Sequence, residues 1–357
     1  MDAPQLLEYK TQSVSFVPHD TKWIPTSARF VAIGVYPLNS TGALAVYGLN
    51  QGKLEMLAMH EKLQGLKCGT FRASALAERH LATGDYRGVL SVWDLETADA
   101  PLYSVRAHES IVNAIDGCGR QSSSCGAPEL VTGGRDGFMR VWDTRVAKPV
   151  TTLARGDQDG AQECWTVCFG NARSGSDRCV VGGYDNGDVK MFDLRTNSIR
   201  WETNCHSGVV NVQFDGDDCD KNKLLVTALE STFWFTCMTE KAHRSTIWQG
   251  RFLPQNRDLL MTCGGNGGLN LYKYHTPLSK KATNADGRQY GISGTVELLN
   301  SWVVSTRPIV SMDWSSDREG LCTFGCLDQT VRVYVVAGTN ECSTKAPKCA
   351  DSSSNRL

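Results

Sequence analysis

A histidine, a hydroxyl residue and a carboxylate, His108, Thr132 and Asp136, lie near one another in the sequence, and such a trio could relay a proton in nucleophilic catalysis. The chain of 357 residues also carries fourteen cysteines, which could staple a fold or hold zinc. The cysteines fall mostly inside apolar, strand-like runs. The closest pairs, Cys164 with Cys168 and Cys322 with Cys326, are four residues apart. On a strand that spacing is about 13 Å, too far for one metal ion. They read as small buried hydrophobes, and no metal or other cofactor is expected. The sequence has no HExxH, no GxSxG, no Cys-x-x-Cys and no glycine-rich loop opening a helix, so the expectation is a protein that is not an enzyme.

The trio has a different explanation, because its surroundings recur. "TGGRDGFMRVWDTR", ending in the Trp142-Asp143 pair, is echoed by "TGDYRGVLSVWDLE" at Trp93, "VGGYDNGDVKMFDLR" at Phe192, "TCGGNGGLNLYKY" at Tyr272 and "FGCLDQTVRVYVV" at Tyr334. Two weaker copies lie around Tyr47 and in "TALESTFWFTCMT", where Thr236-Cys237 occupy the Trp-Asp slot. Successive anchors are 46, 49, 50, 44, 36 and 62 residues apart, and all but the last two are near the ~40–45 of a WD repeat. Each copy reads as an antiparallel sheet: a first strand such as "VNAIDG" or "WTVCFG", a run into Gly-Gly or Thr-Gly, a tight turn, the anchor strand, and an outer strand such as "SIRWETNCH". Inner strands apolar on both faces imply sheets stacked on either side. The fold expected is all-β, a seven-bladed WD-repeat β-propeller over residues 1–337.

Residues 5 to 14, "QLLEYKTQSV", precede the first repeat, and the last repeat lacks an outer strand, so the N-terminal strand is expected to close the ring and cover an edge. Residues 338–357 are polar and aperiodic and read as a disordered tail. Residues 276 to 293 read as a mobile loop. Only five residues separate Cys237 from His243, which predicts that blade five lacks a regular outer strand.

In the WD-repeat proteins that these residues resemble, His108, Thr132, Asp136 and Trp142 would form a hydrogen-bonded chain within one blade, a fastener rather than a catalyst. Only Asp136 and Asp328 keep aspartate in that turn; Arg87, Asn186, Glu230 and Asn266 replace it elsewhere. Function is then expected on a surface. In WD-repeat proteins the residue at the start of each inner strand faces the channel mouth, and the resemblance assigns that slot here to Lys67, Val112, Trp165, Val210, Trp248 and Val310. The residue before the turn adds Tyr86, Arg135, Asp185 and Leu327. Two tryptophans at this mouth point to a peptide- or protein-binding site; packing of Trp165 and Trp248 between blades is the structural alternative.

More specific strings, among them "LATGDYRG", "YSVRAHESIVNAIDG", "CWTVCFGNA", "RWETN" and "LPQNRDLL", are similar to those of the Monad-type WD-repeat family of axonemal dynein assembly factors. The resemblance spans roughly residues 4 to 337. It implies a cytoplasmic adaptor of a prefoldin-like co-chaperone assembly with RuvB-like ATPases and a tetratricopeptide adaptor; the propeller itself is expected to be monomeric. That assembly would help build axonemal dynein heavy chains in ciliated or flagellated cells. The shortened blade five departs from the family pattern. A second class of function is a substrate receptor of a cullin ubiquitin ligase, since Asp143 with Arg145 and Asp193 with Arg195 fit the aromatic-Asp-x-Arg box; local pairing of each arginine with its aspartate is the structural alternative. A net charge of −1 speaks against nucleic acid and anionic membranes. No apolar run reaches the roughly 18 residues of a spanning helix, and "MDAPQLLEYK" does not read as a signal peptide.

Overall fold

The computed structural model describes residues 3–119, 129–153, 162–172, 177–216, 223–235, 238–277, 281–283, 289–291 and 294–339. It contains seven four-stranded antiparallel sheets. Blades one to six span residues 17–62, 66–106, 112–153, 164–204, 209–241 and 247–303; blade seven joins 309–337 to the N-terminal strand. Seven apolar clusters each straddle one pair of neighbouring blades. Val131 and Val141 of blade three meet Val167, Val180 and Phe192 of blade four, and Leu321 and Val333 of blade seven meet Phe16 and Phe30 of blade one. The core is therefore seven apolar seams arranged in a circle, which is why the inner strands are apolar on both faces.

The innermost strand of every blade is an edge, and its free N–H groups would lie unpaired against the channel wall. In six of the seven blades a side chain of the preceding blade accepts from one of them. Gly69 donates to Asp20, Phe169 to Asp116, Val212 to Thr166, Gly250 to Asn211, Met312 to Gln249 and Trp23 to Asp313, at 2.6–3.2 Å. Each bond crosses a blade junction in the same sense, so the polar residues of the inner strands stitch the ring.

The ring closes as expected. Gln5–Ser13 pairs antiparallel with Thr330–Ala337, from Gln5 opposite Ala337 to Ser13 opposite Thr330, with one bulge near Glu8. Blade five corrects the sequence reading: it does have an outer strand, Met238–Lys241, paired with Thr232–Phe235. Phe235 is itself opposite Met238 in the pairing, so the outer strand starts directly after the Trp-Asp slot. Five intervening residues therefore suffice for a four-residue strand. Thr236 and Cys237 lie outside the described residues. Within the 276 to 293 insertion, Lys281–Thr283 pairs with Gln289–Gly291; the rest from 278 lies outside the described residues, as does the tail from 340.

The nine described cysteines are unpaired and eight are buried. Burial pushes the thiols of Cys68 and Cys263 up to about 12, which keeps them protonated and unreactive.

Candidate protein-interaction face

Each inner strand begins with a bulge. Its pairing skips one residue, between Pro18 and Asp20, Leu66 and Cys68, Val112 and Ala114, Cys164 and Thr166, Val209 and Asn211, Ile247 and Gln249, and Ile309 and Ser311. A bulge leaves its extra residue out of the ladder and re-aims its side chain. The seven extra residues are His19, Lys67, Asn113, Trp165, Val210, Trp248 and Val310, and all line the central channel, a cavity of about 720 Å³. Of the six residues assigned to this slot from sequence, Lys67, Trp165, Val210, Trp248 and Val310 line the channel. Val112 is wrong by one position: it is fully buried between blades, and its neighbour Asn113 takes the channel slot. His19 was missed, because no inner strand was aligned for the weaker copy in blade one; aligning "VPHDTKW" with the other inner strands would have found it.

The ring is divided by chemistry. Blades one to three contribute His19, Lys67 and Asn113; blades four to seven contribute Trp165, Val210, Trp248 and Val310. The turn residues stand just outside. Tyr86 shares a 2.8 Å hydrogen bond with the His19 imidazole. Burial, followed by the charge of Lys67, pushes the His19 pKa down to about 3, so this ring is neutral. On the other side Glu163 joins three expected residues. It accepts from Arg135 Nε at 2.7 Å and from Trp165 Nε1 at 3.1 Å, and its own N–H donates to Asp185 at 3.1 Å. Sequence reasoning overlooked Glu163, which has no repeat signature. Trp248 packs partly against the seam between blades six and seven, and its indole N–H has no partner among the described residues. Leu327 and the equivalent Leu229 of blade five are 38% and 36% exposed.

The fastener of blade three is as expected. His108 Nδ1 meets Asp136 Oδ1 at 2.8 Å, His108 Nε2 meets Thr132 Oγ1 at 2.8 Å, and Trp142 Nε1 donates to Thr132 Oγ1 at 2.9 Å. Arg140, not foreseen, donates to Asp136 Oδ2 at 2.9 Å and to the carbonyl of Ala107 at 3.1 Å. Burial pushes the Asp136 carboxyl up, but hydrogen bonds from His108 and Arg140 outweigh it and hold its pKa well below the carboxylate range. Asp136 is thus a charge-assisted acceptor.

Comparison with known proteins places this geometry. The WD domain, G-beta repeat, matches residues 99–143. Dynein axonemal assembly factor 10 of Xenopus laevis is 45% identical, covering 95% of this chain and 98% of the relative. The protein of that name from Homo sapiens is 44% identical over 95% and 99% of the two chains, and that from Chlamydomonas reinhardtii 46% over 95% and 98%. The chain belongs to the dynein axonemal assembly factor 10 family. The family expected from the quoted strings is therefore the one found.

In this family member the aromatic-Asp-x-Arg boxes end the third strands of blades three and four, on the face opposite the mouth. Arg145 forks onto Asp143, with Nε at 3.0 Å and Nη2 at 2.6 Å, and that hydrogen bond lowers the Asp143 pKa. Asp193 accepts the backbone N–H of Arg195 at 2.8 Å. A ligase adaptor binding here would have to share or break the Arg145–Asp143 pair.

Proposed function

We propose that this chain is a non-catalytic interaction scaffold for the assembly of axonemal dynein arms, and that its docking face is the channel mouth carrying Lys67, Tyr86, Arg135, Trp165, Asp185 and Trp248. The observation that carries the reading is 44–46% identity across about 95% of the chain to proteins named for that assembly. The fold supports it: seven rigid seams hold a set of loops and bulges at one face, the arrangement by which a propeller presents a surface. In this reading the chain works in the cytoplasm of ciliated or flagellated cells. It links dynein heavy chains to a co-chaperone assembly of prefoldin-like subunits, RuvB-like ATPases and a tetratricopeptide adaptor.

The test is replacement of the endogenous protein in a ciliated cell by wild type or by Trp165→Ala/Trp248→Ala. Cytoplasmic heavy chains and co-precipitated co-chaperone subunits are then quantified. Wild type restores both and the double variant, equally abundant, restores neither. Normal heavy-chain levels after loss of the protein would overturn the assembly role, and full rescue by the double variant would remove the mouth from it.

A further inference from the structure

Of the three polar residues in the mouth ring, two are engaged within the fold. His19 bonds Tyr86, and the Asn113 amide donates to the carbonyl of Cys164 at 3.1 Å. Lys67 differs. Among the described residues its ammonium has no hydrogen-bond acceptor and no ion-pair partner. The nearby carboxylate of Asp20 is occupied by Lys22 at 2.5 Å and by the N–H groups of Thr21 and Gly69 at 3.0 and 3.1 Å. Burial in the channel wall pushes the Lys67 pKa down, with Cys68 and Asp20 opposing it. A partly desolvated cation without a direct partner is a cost to folding, which the nearby Asp20 charge offsets only in part. The opposite half of the ring carries Trp165, Val210, Trp248 and Val310, and Leu229 continues this apolar lining outward, with the Arg135–Glu163 pair and Asp185 beside Trp165 on the rim.

Resting on the reading of the mouth as the docking face, we infer that its ligand is an extended segment of a partner protein with an aspartate or glutamate that pairs with Lys67. A bulky apolar residue beside that acid lies against Trp165 and Trp248. One ammonium in a partly dry site matches one carboxylate; a phosphate dianion would leave a second charge unbalanced, and cation-rich forks are what phosphate sites use. The continuation of the apolar half onto the rim fits a segment crossing the mouth rather than a chain end inserted in it.

The experiment pans a library of random displayed twelve-residue peptides against the full chain and against Lys67→Met, Lys67→Glu and Trp165→Ala. Wild type should enrich Asp or Glu adjacent to Leu, Phe, Met or Trp. Lys67→Met should melt no lower than wild type, keep the apolar preference and lose the acidic one, and its affinity for the best wild-type peptide should fall at least about tenfold. If Lys67→Glu folds, it should select Lys or Arg at that position. Trp165→Ala should lose the apolar preference. Peptides without an acid from wild type, the same peptides from Lys67→Met, or no enrichment at all would overturn the inference. None of these outcomes touches the assembly role, which stands or falls on heavy-chain levels in the cell.

Discussion

Replacing Asp136 with alanine measures what the blade-three network contributes. The Asp136 side chain is 7% exposed and that of His108 fully buried. Removing the carboxylate strands the imidazole N–H and takes one acceptor from Arg140, whose side chain is 18% exposed. A buried donor left unmade costs about 1–3 kcal/mol, and breaking a buried ion pair by deleting one partner costs about 3–5 kcal/mol. Arg140 keeps the Ala107 carbonyl and some water, which places the expected loss near the overlap, about 3 kcal/mol. At roughly 2 °C per kcal/mol for a large domain, the melting temperature should fall by about 6 °C. Guanidinium titration read by tryptophan fluorescence and scanning calorimetry both report it. The pH dependence has a definite sign. A folded pKa held below the unfolded value of about 4 gives a contribution that is complete above that value and fades as pH falls through the lower folded one. The gap between wild type and the variant should therefore be full at pH 6 and shrink below pH 4. A loss under about 1 kcal/mol, or a gap that does not change with acidification, would refute the fastener.

Blade six offers the reverse experiment: Asn266→Asp should restore the acid beside His243, whose pKa burial now pushes down to about 4 against the Asn266 and Thr262 hydrogen bonds. Imidazole NMR should show an upward shift of more than about one unit; an unchanged titration would mean the turn cannot reach the ring. Deleting residues 1–14 should uncover the paired edge of Thr330–Ala337 and give aggregates by light scattering at concentrations where wild type is monodisperse; a well-behaved monomer would refute closure by that strand. Gly267→Ala and Gly52→Ala share positive φ, 73° and 80°. Only at Gly267 would the new methyl sit 1.9 Å from the Ser305 carbonyl. Gly52→Ala should cost about 1 kcal/mol, and Gly267→Ala distinctly more by denaturant titration; equal losses would show that the contact relaxes freely.

The architecture was legible because each blade carries a redundant signal. Trp93, Trp142, Phe192, Tyr272 and Tyr334 fall in the same place relative to a turn, and the two weaker copies do not disturb the count. Closure was legible from a leftover strand at one end and a missing one at the other. The error at blade five came from treating the length after the anchor as the room for an outer strand. A chain that turns back at the anchor itself needs no such length, and local sequence does not announce where a hairpin reverses. Arg140 escaped notice because an arginine on a third strand looks like any solvent-facing charge until His108 and Asp136 are placed on either side of it.

The mouth shows where sequence pattern stops being sufficient. Strict alternation gives Val112 and Asn113 opposite faces, and the apolar residues at 210 and 310 made Val112 the natural equivalent. What decides the matter is a backbone event, the bulge at the start of every inner strand, which leaves one residue out of the ladder and turns it toward the channel. Val112 stays in register and seals the seam; Asn113 is displaced. The residue types at the bulge are thereby released from the apolar demand that the seams impose on their neighbours. A lysine and two tryptophans can therefore stand at positions where the seams themselves would demand buried apolar residues.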